Sequence, residues 1–346
     1  MSDASDRISM DQAKRKRPLF VGIDVGGTNI KVGLVDDSGR TLAFDNTPSE
    51  VPAGPQAAVE RMAAKIDELV AKCGAEKGDI AQFGLATPGT MDIAAGMLLH
   101  PHNLPGWEEF AIRDRLSEVC GLPVSYNNDA NAAAYGEYWV GRGREYKSMV
   151  LLTLGTGVGG GIIIDGEVLD GEHSHGAECG HLIIDYQDDA RVCPCGQPGH
   201  LEGYASATAV VARACEALET GAKSTLKESF DGGVAITAKM IYDHALAGDQ
   251  FSLNVIADTA LYLAVGITTL LHVIDPDAVV LGGAMDFGGD DCKLGRRFIE
   301  QIREQVRKRA FPVLAEKTVI DFASLGGDAG YLGAAGIARA EYLKKA

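Results

Sequence analysis

Residues 19–48, LFVGIDVGGTNIKVGLVDDSGRTLAFDNTP, decide the fold class. An apolar, β-branched run leads into a glycine turn, a second such run follows, and another turn lies at DDSGR (36–40). The spacing predicts two β-strands joined about the glycine turn. Because this turn leads into a strand, it is not a dinucleotide-binding fingerprint, and because no Gly-Lys-Ser/Thr follows, it is not a P-loop.

Helical and strand patterns alternate after this segment. A helical pattern over 56–73 precedes the strand-like 80–89, and a second helical pattern over 110–123 precedes the strand-like 124–129. The segment 148–169, SMVLLTLGTGVGGGIIIDGEVL, then repeats the opening design. The repetition predicts two related α/β lobes. The predicted divisions are a flexible polar tail (1–18), a small N-terminal α/β lobe (19–128), a large C-terminal α/β lobe with a metal-binding loop (129–330), and a C-terminal helix packing back toward the first lobe (331–346).

Composition and charge restrict the class of partner. The chain has 346 residues, 46% of them hydrophobic, and a net charge of −16. This charge repels nucleic acid and anionic membranes, so we expect a small-molecule substrate, no nucleic acid and no membrane. The chain has an odd number of cysteines, seven, of which four lie far apart (Cys73, Cys120, Cys215 and Cys292). Together with the lack of a secretory pattern, this predicts a cytoplasmic protein with reduced thiols. The apolar run 260–274 predicts a buried helix rather than a membrane span.

Glycine turns that follow apolar strands predict nucleotide binding. In DVGGTNIK (24–31), two glycines let backbone amides approach phosphate oxygens, the threonine adds a hydroxyl donor, and the aspartate is placed to hold Mg²⁺ through water. LGTGVGGG (154–161) has the same composition, and the turns at 281–287 and 324–335 are suited to adenine and ribose. The alternative for each is a strand-end turn without ligand. The candidate nucleotide-binding residues are Asp24, Gly26, Gly27, Thr28, Lys31, Gly155, Thr156, Gly157, Gly282 and Gly283.

A cysteine-rich loop, CPCGQPGHLEGYAS, occupies residues 193–206. Cys193 and Cys195 are separated by one residue, a spacing that does not easily form a relaxed disulfide. Two thiolates together with imidazoles suit tetrahedral Zn²⁺. The residues alone leave a metal site and an ordinary loop as the two interpretations.

Together, these motifs resemble the ROK family of bacterial sugar kinases, and most of all its glucokinases. The resemblance covers about 19–340 and rests on DxGGT (24–28), NNDANAAAYGE (127–137), LGTGVGGG, AECGH (177–181) and CxCGxxG (193–199). It implies a two-lobed actin-like ATPase (ribonuclease H-like) α/β fold with a cleft between the lobes, ATP and Mg²⁺ as cofactors, and a homodimer or homotetramer.

The resemblance also implies an activity, phosphorylation of the 6-hydroxyl of glucose by ATP. The residues assigned to sugar hydroxyls are Asn103, Asn128, Asp129, Glu178, His181 and Glu202. Asp129 is the predicted catalytic base. Since an aspartate with a pKa near ~4 is a weak base, we expect it to orient the hydroxyl as much as deprotonate it. The alternative for Asp129 is a helix N-cap, and Glu137 is predicted to be structural or solvated.

The family's zinc site uses a histidine at the position of His181 together with three cysteines. In this chain His200 occupies the third cysteine position. The predicted ligands of a structural Zn²⁺ are His181, Cys193, Cys195 and His200, which would clamp the loop that presents Glu178 and Glu202. The alternative is that His200 only packs or forms a hydrogen bond.

Other functions within the resemblance are kinases of N-acetylglucosamine, N-acetylmannosamine or mannose, and use of polyphosphate as donor. A different class is a ROK-type sugar-responsive repressor. That reading requires an N-terminal helix-turn-helix of about 60–80 residues, whereas residues 1–18, before the first predicted strand, are polar.

Overall fold

The computed structural model describes residues 17–101 and 103–345. Most of the predicted polar tail therefore lies outside the described residues. The strands are β1 (Leu19–Val25), β2 (Asn29–Asp36), β3 (Thr41–Pro48), β4 (Ile80–Thr87), β5 (Thr90–Asp92), β6 (Met97–His100), β7 (Val124–Asn128), β8 (Ser148–Leu154), β9 (Val158–Ile164), β10 (Glu167–Val168), β11 (Ala278–Gly282) and β12 (Val319–Phe322). The helices are α1 (Pro55–Lys72), α2 (Ile112–Cys120), α3 (Asp129–Val140), α4 (Glu202–Ala205), α5 (Ala207–Glu219), α6 (Lys227–Asp231), α7 (Ala238–Leu246), α8 (Gln250–Ile274), α9 (Lys293–Arg307), α10 (Pro312–Lys317) and α11 (Ala329–Lys345).

The chain forms two compact units. Unit 1 comprises the described residues up to Glu145, the segment Gly161–Ala177 and the chain from Leu325 onward; unit 2 comprises Tyr146–Gly160 and Glu178–Ser324. These units differ from the predicted lobes, because residues 129–145 and 161–177 belong to unit 1. The physical reason is the packing of α3 against α11, which holds both helices in unit 1.

Unit 1 is built on a sheet of order β3-β2-β1-β4-β7. β1 and β2 form the antiparallel pair predicted from the opening sequence, and Val25 pairs with Ile30 beside the turn. β4 and β7 extend the sheet in parallel. Apolar residues of α1 and α2 belong to one core with this sheet, and α11 contributes to a second core with Phe20 and Val35.

Helix α11 contacts its neighbours backbone to backbone. A Cβ at Gly333 would lie 1.5 Å from the carbonyl oxygen of Ala132 in α3, and a Cβ at Gly84 would lie 1.8 Å from the carbonyl oxygen of Ala334. Glu137 of α3 is fully buried, and its carboxylate accepts hydrogen bonds from the backbone N–H of Leu325 (2.7 Å) and of Arg142 (2.8 Å). Glu137 is therefore structural, one of the two roles expected for it.

Unit 2 carries most of the second sheet, whose order is β10-β9-β8-β11-β12. β11 is parallel to both β8 and β12. Strand β9 continues into unit 1, where it pairs with β10. In each sheet the two strands that flank a predicted glycine turn, β1 with β2 and β8 with β9, are neighbours, as the repeated design predicted. Parallel strands lie beside β1 and beside β8.

Helix α8 contains the apolar run of the sequence but is longer than that run. Among the helices of the described residues, α8 alone is long and apolar enough to cross a membrane by length and composition. Its most apolar 18 residues have a mean hydropathy of 1.5. In this window 61% of the residues are buried, as in the core helix of a folded unit.

Candidate active site and metal centre

The first glycine turn joins β1 to β2 in unit 1. The N–H of Gly26 donates to the carbonyl oxygen of Asn29 (2.9 Å), which closes the turn. Neither Gly26 nor Gly27 has a φ in the left-handed region, so tight space rather than backbone conformation favours glycine here. A Cβ at Gly27 would lie 3.1 Å from the carbonyl oxygen of Asn103. The structure therefore brings Asn103, a predicted sugar ligand, next to the predicted phosphate turn.

Asp24 and Lys31 lie on either side of this turn in the sequence. Both side chains lie close to the start of α11. Lys31 Nζ donates to the carbonyl oxygen of Gly327 (2.7 Å) and lies 3.5 Å from Asp24 Oδ2. A Cβ at Gly330 would lie 2.5 Å from the same carboxylate oxygen. Burial raises the pKa of Asp24, and Lys31 opposes that shift. The glycine-rich segment 324–335, considered above for adenine and ribose, thus begins beside Asp24 and Lys31.

The junction between β7 and α3 presents two predicted sugar ligands. Asn128 is the N-cap of α3, and its side chain accepts from the N–H of Ala130 (2.8 Å). Asp129 is the first helical residue, and its Oδ1 also accepts from that N–H (2.8 Å). The N-cap position considered for Asp129 therefore belongs to Asn128.

Buried side chains behind this junction hold it in place. Asn127 Oδ1 accepts from the N–H of Asn128 (2.8 Å) and from Asn131 Nδ2 (3.0 Å). Asn127 Nδ2 in turn donates to Asp170 Oδ1 (2.9 Å), and burial raises the pKa of Asp170. Asp170 was not among the predicted residues, because one aspartate in a loop 41 residues beyond Asp129 carries no local signal.

Unit 2 contains a cavity of about 430 Å³ beside the second glycine turn. A pocket of this size, with mainly apolar walls and a few polar groups, suits a nucleobase and its sugar. Its lining residues are Gly155, Thr156, Ala207, Ala238, Lys239, Tyr242, Ala284, Met285, Asp286, Phe287 and Gly288. The contribution of α7 was not predicted, since a lysine and a tyrosine one turn apart are ordinary residues of an amphipathic helix.

The turn that contains Gly282 and Gly283 lies against the end of β8. Gly283 has φ +94°, and a Cβ there would lie 2.2 Å from the carbonyl oxygen of Leu154. The N–H of Met285 donates to that same oxygen (3.0 Å). This hydrogen bond holds the turn of Gly282 and Gly283 beside Leu154, the residue before Gly155. The residues that follow the turn, 284–288, line the cavity.

The predicted metal ligands of unit 2 are gathered in space. One donor atom from each of His181, Cys193, Cys195 and His200 lies within 4.8 Å of those of the other three. His200 Nδ1 is 3.1 Å from His181 Nδ1 and 3.3 Å from Cys195 Sγ. Tetrahedral Zn²⁺ with bonds of about 2.0–2.3 Å requires donor separations of roughly 3.3–3.8 Å. The donor set and its spacing fit a closed zinc site.

The loop that carries these donors also places the acidic residues predicted to bind sugar. His181 Nε2, the nitrogen directed away from His200, lies 3.8 Å from Glu178 Oε2. Glu202 Oε2 accepts from the N–H of Val158 (2.9 Å), and its Oε1 lies 3.4 Å from Cys193 Sγ. Glu202 therefore contacts both the metal loop and the chain just after the second glycine turn.

Sequence and structure comparisons identify the class. The pattern of the ROK family matches residues 20–341, so this chain belongs to the ROK family. A glucokinase of Halalkalibacterium halodurans is 34% identical over 91% of this chain and 93% of its own length. A ROK hexokinase of Thermus thermophilus (TM-score 0.79, 30% identity, 95% and 100% coverage) and a ROK glucokinase of Streptomyces griseus solved with glucose and AMPPNP (TM-score 0.70, 30% identity, 93% and 99% coverage) have similar structures.

These comparisons confirm the predicted fold class, the mixed α/β two-lobed actin-like ATPase fold. The relatives also differ in function. An N-acetylmannosamine kinase of Salmonella typhi is 28% identical over 93% of this chain and 99% of its own length. A putative xylose repressor of a Caldicellulosiruptor species is 31% identical over 85% of this chain and 71% of its own length.

Proposed function

We propose that this protein is an ATP-dependent hexose kinase that phosphorylates the 6-hydroxyl of glucose. The observation that carries the proposal is the β7–α3 junction, where Asn128 caps the helix and Asp129 begins it. The glucokinase relatives support the same assignment, since their similarity extends over nine-tenths of the chain.

In this proposal the sugar is held by amides and carboxylates that can each engage neighbouring hydroxyls. Unit 1 supplies Asn103, Asn128 and Asp129. Asp129 accepts the proton of the 6-hydroxyl as that oxygen attacks the γ-phosphorus of ATP. The bond from the γ-phosphorus to the β–γ bridging oxygen breaks in the same step, and ADP leaves. Transfer through a loose transition state depends mainly on alignment and charge neutralisation. A fixed helix-terminal carboxylate serves the alignment, by orienting the hydroxyl, whereas the glycine turns and Mg²⁺ serve the neutralisation.

Unit 2 supplies the nucleotide pocket together with Glu178, His181 and Glu202. The apolar walls of the 430 Å³ cavity suit adenine, and the backbone of Gly155–Gly157 suits phosphate oxygens. In unit 1, Gly26–Thr28 and the ammonium of Lys31 offer donors of the same kind.

Asp24 is the residue that would hold Mg²⁺ in unit 1. Its carboxylate is a hard oxygen ligand, and Mg²⁺ typically takes one or two protein carboxylates and completes its shell with water and phosphate. When bound, Mg²⁺ supplies neutralisation of phosphate charge. The side chain is only 17% exposed and is restrained by Lys31 and the start of α11, so its oxygens are fixed before any ion arrives.

A panel of sugars and donors tests the function. We expect ATP-dependent turnover with glucose and a lower kcat/KM with mannose, N-acetylglucosamine and N-acetylmannosamine, measured by coupled ADP release. Polyphosphate is the second donor in the panel, and we expect ATP to be preferred. A higher kcat/KM with an acetamido sugar would replace glucose as the substrate, and no turnover with any hexose would reject the kinase.

We also propose that His181, Cys193, Cys195 and His200 hold a structural Zn²⁺. Four protein ligands leave no open position, so the ion would cross-link the loop rather than take part in the reaction. Burial raises the pKa of the Cys193 thiol to about 12 in the metal-free protein, which makes metal uptake the step that removes its proton.

We expect about one zinc per chain in purified protein and a loss of most of it in His200→Ala, because three ligands hold zinc less tightly than four. His200→Cys should retain zinc, since a thiolate occupies the same corner. His175→Ala, which removes an exposed histidine outside the cluster, serves as the control. Metal analysis by mass spectrometry decides the matter; zinc-free wild type, or full zinc in His200→Ala, would refute the ligand set.

A further inference from the structure

Residues 202–208, which include the end of the cysteine-rich loop, hold the second glycine turn in place. Three hydrogen bonds of unit 2 connect them. Glu202 Oε2 accepts from the N–H of Val158 (2.9 Å), the N–H of Ala207 donates to the carbonyl oxygen of Gly155 (2.9 Å), and Thr208 Oγ1 donates to the carbonyl oxygen of Thr156 (2.8 Å). Gly155, Thr156 and Val158, the residue that follows Gly157, thus each have a hydrogen-bond partner in 202–208.

The chemistry of these contacts explains why they fix the turn. Ala207 is the first residue of α5, and its N–H is one of the donors that a helix leaves without an internal partner. The carboxylate of Glu202 lies so close to the turn that a Cβ at Gly157 would be 2.3 Å from Glu202 Oε2. The contact from Glu202 is charge-assisted and therefore stronger than a neutral hydrogen bond.

The same segment borders the nucleotide cavity and the metal loop. Gly155, Thr156 and Ala207 line the cavity, whereas Thr208 is exposed and does not. At the other end of the segment, Glu202 Oε1 lies 3.4 Å from Cys193 Sγ. The peptide groups of the glycine turn are thus oriented by residues that need not touch the nucleotide themselves.

We infer that Glu202 and Thr208 are positioning residues for nucleotide binding, which act by holding the backbone of Gly155–Gly157. The inference rests on the proposed kinase function. Thr208 thus orients the turn although its side chain is exposed, and Glu202 has a second role besides the sugar contact proposed above. A residue that binds sugar alone has no effect on nucleotide affinity when sugar is absent.

The test is calorimetric titration with AMPPNP and Mg²⁺ in the absence of sugar. Thr208→Val keeps the shape of the side chain but removes the donor, and we expect the Kd to rise about 3- to 10-fold. Thr208→Ser should restore the wild-type Kd. Thr220→Val is the matched control, because Thr220 ends the same helix and its hydroxyl bonds only to carbonyl oxygens of that helix.

Glu202→Ala should raise the Kd about tenfold or more, since it removes a charged acceptor, whereas Glu202→Gln retains an acceptor and should stay within about threefold. Zinc content and the thermal midpoint are measured for every variant, so that loss of metal or of folding is recognised. Unchanged Kd in folded, zinc-replete Thr208→Val and Glu202→Ala would overturn the positioning role while the kinase assignment stands. A wild type that binds no AMPPNP would overturn both.

Discussion

Replacing Asp129 by asparagine is expected to lower kcat with glucose and ATP by about 10²–10⁴-fold, the usual contribution of a positioned acid or base. An amide accepts no proton at neutral pH, yet its oxygen can still take the hydrogen bond that Asp129 Oδ1 accepts from the N–H of Ala130. The KM for glucose should therefore change little. Steady-state kinetics with an ADP-coupled assay gives both constants.

Asp114→Asn is the matched control for this variant. Asp114 also lies in the first turn of a helix of unit 1, α2, but its side chain is 55% exposed and pairs with the adjacent Arg113. It should retain wild-type kinetics. Turnover of Asp129→Asn close to that of wild type would remove Asp129 from the catalytic role.

The second large effect is on folding. Gly333→Ala places a methyl group 1.5 Å from the carbonyl oxygen of Ala132, where α11 contacts α3. The helix has no room to move away, because it also lies on β4, where Gly84 contacts Ala334. We expect a loss of at least roughly 3 kcal/mol, or no folded protein, because overpacking of this degree separates two backbones.

The measurement is the thermal unfolding midpoint together with the yield of soluble protein. The midpoint of Gly333→Ala should fall by about 10 °C or more. Gly78→Ala, in unit 1 and with no atom within 4 Å of the added Cβ, should shift it by no more than about 2 °C. A Gly333→Ala protein with a wild-type midpoint would contradict the packing of α3 against α11.

Local patterns predicted the hairpin of β1 and β2, because alternating apolar runs and a glycine turn determine such a pair through neighbouring residues. The same kind of reasoning missed α9, although Leu294, Phe298 and Ile302 repeat at helical spacing and are buried. This helix begins at Lys293, after a glycine-rich turn, and the side chain of its N-cap residue, Cys292, forms no capping hydrogen bond. The usual start signal of a helix was therefore missing.

The division into units could not be predicted from local patterns. It depends on the contact of α3 with α11, in which a Cβ at Gly136 would lie 3.1 Å from the backbone nitrogen of Gly333. These glycines are far apart in the chain, and a glycine within a helical pattern reveals nothing about its distant neighbour. The position of the segment 324–335 beside Asp24 could not be predicted for the same reason, since it follows from the packing of α11.

The sequence indicated the residues of the candidate site that belong to motifs, but not the residues that hold those motifs in place. Residues of the glycine turns and of the His/Cys cluster, whose binding roles stay predictions, were recognisable because backbone access to phosphate favours glycine and because the family resemblance named the four metal ligands. Thr208 and Asp170 were not, since each acts on the backbone or side chain of another residue and shows no motif of its own.

In the proposed function, the γ-phosphoryl group of ATP is transferred to the 6-hydroxyl of a hexose. Phosphorus and proton NMR of the product formed from glucose and ATP tests this transfer. We expect one sugar phosphate per ADP, with the phosphorus coupled to the protons on carbon 6, and no product from 6-deoxyglucose. A phosphate on another hydroxyl, or no sugar phosphate from glucose or any other hexose of the panel, would contradict it.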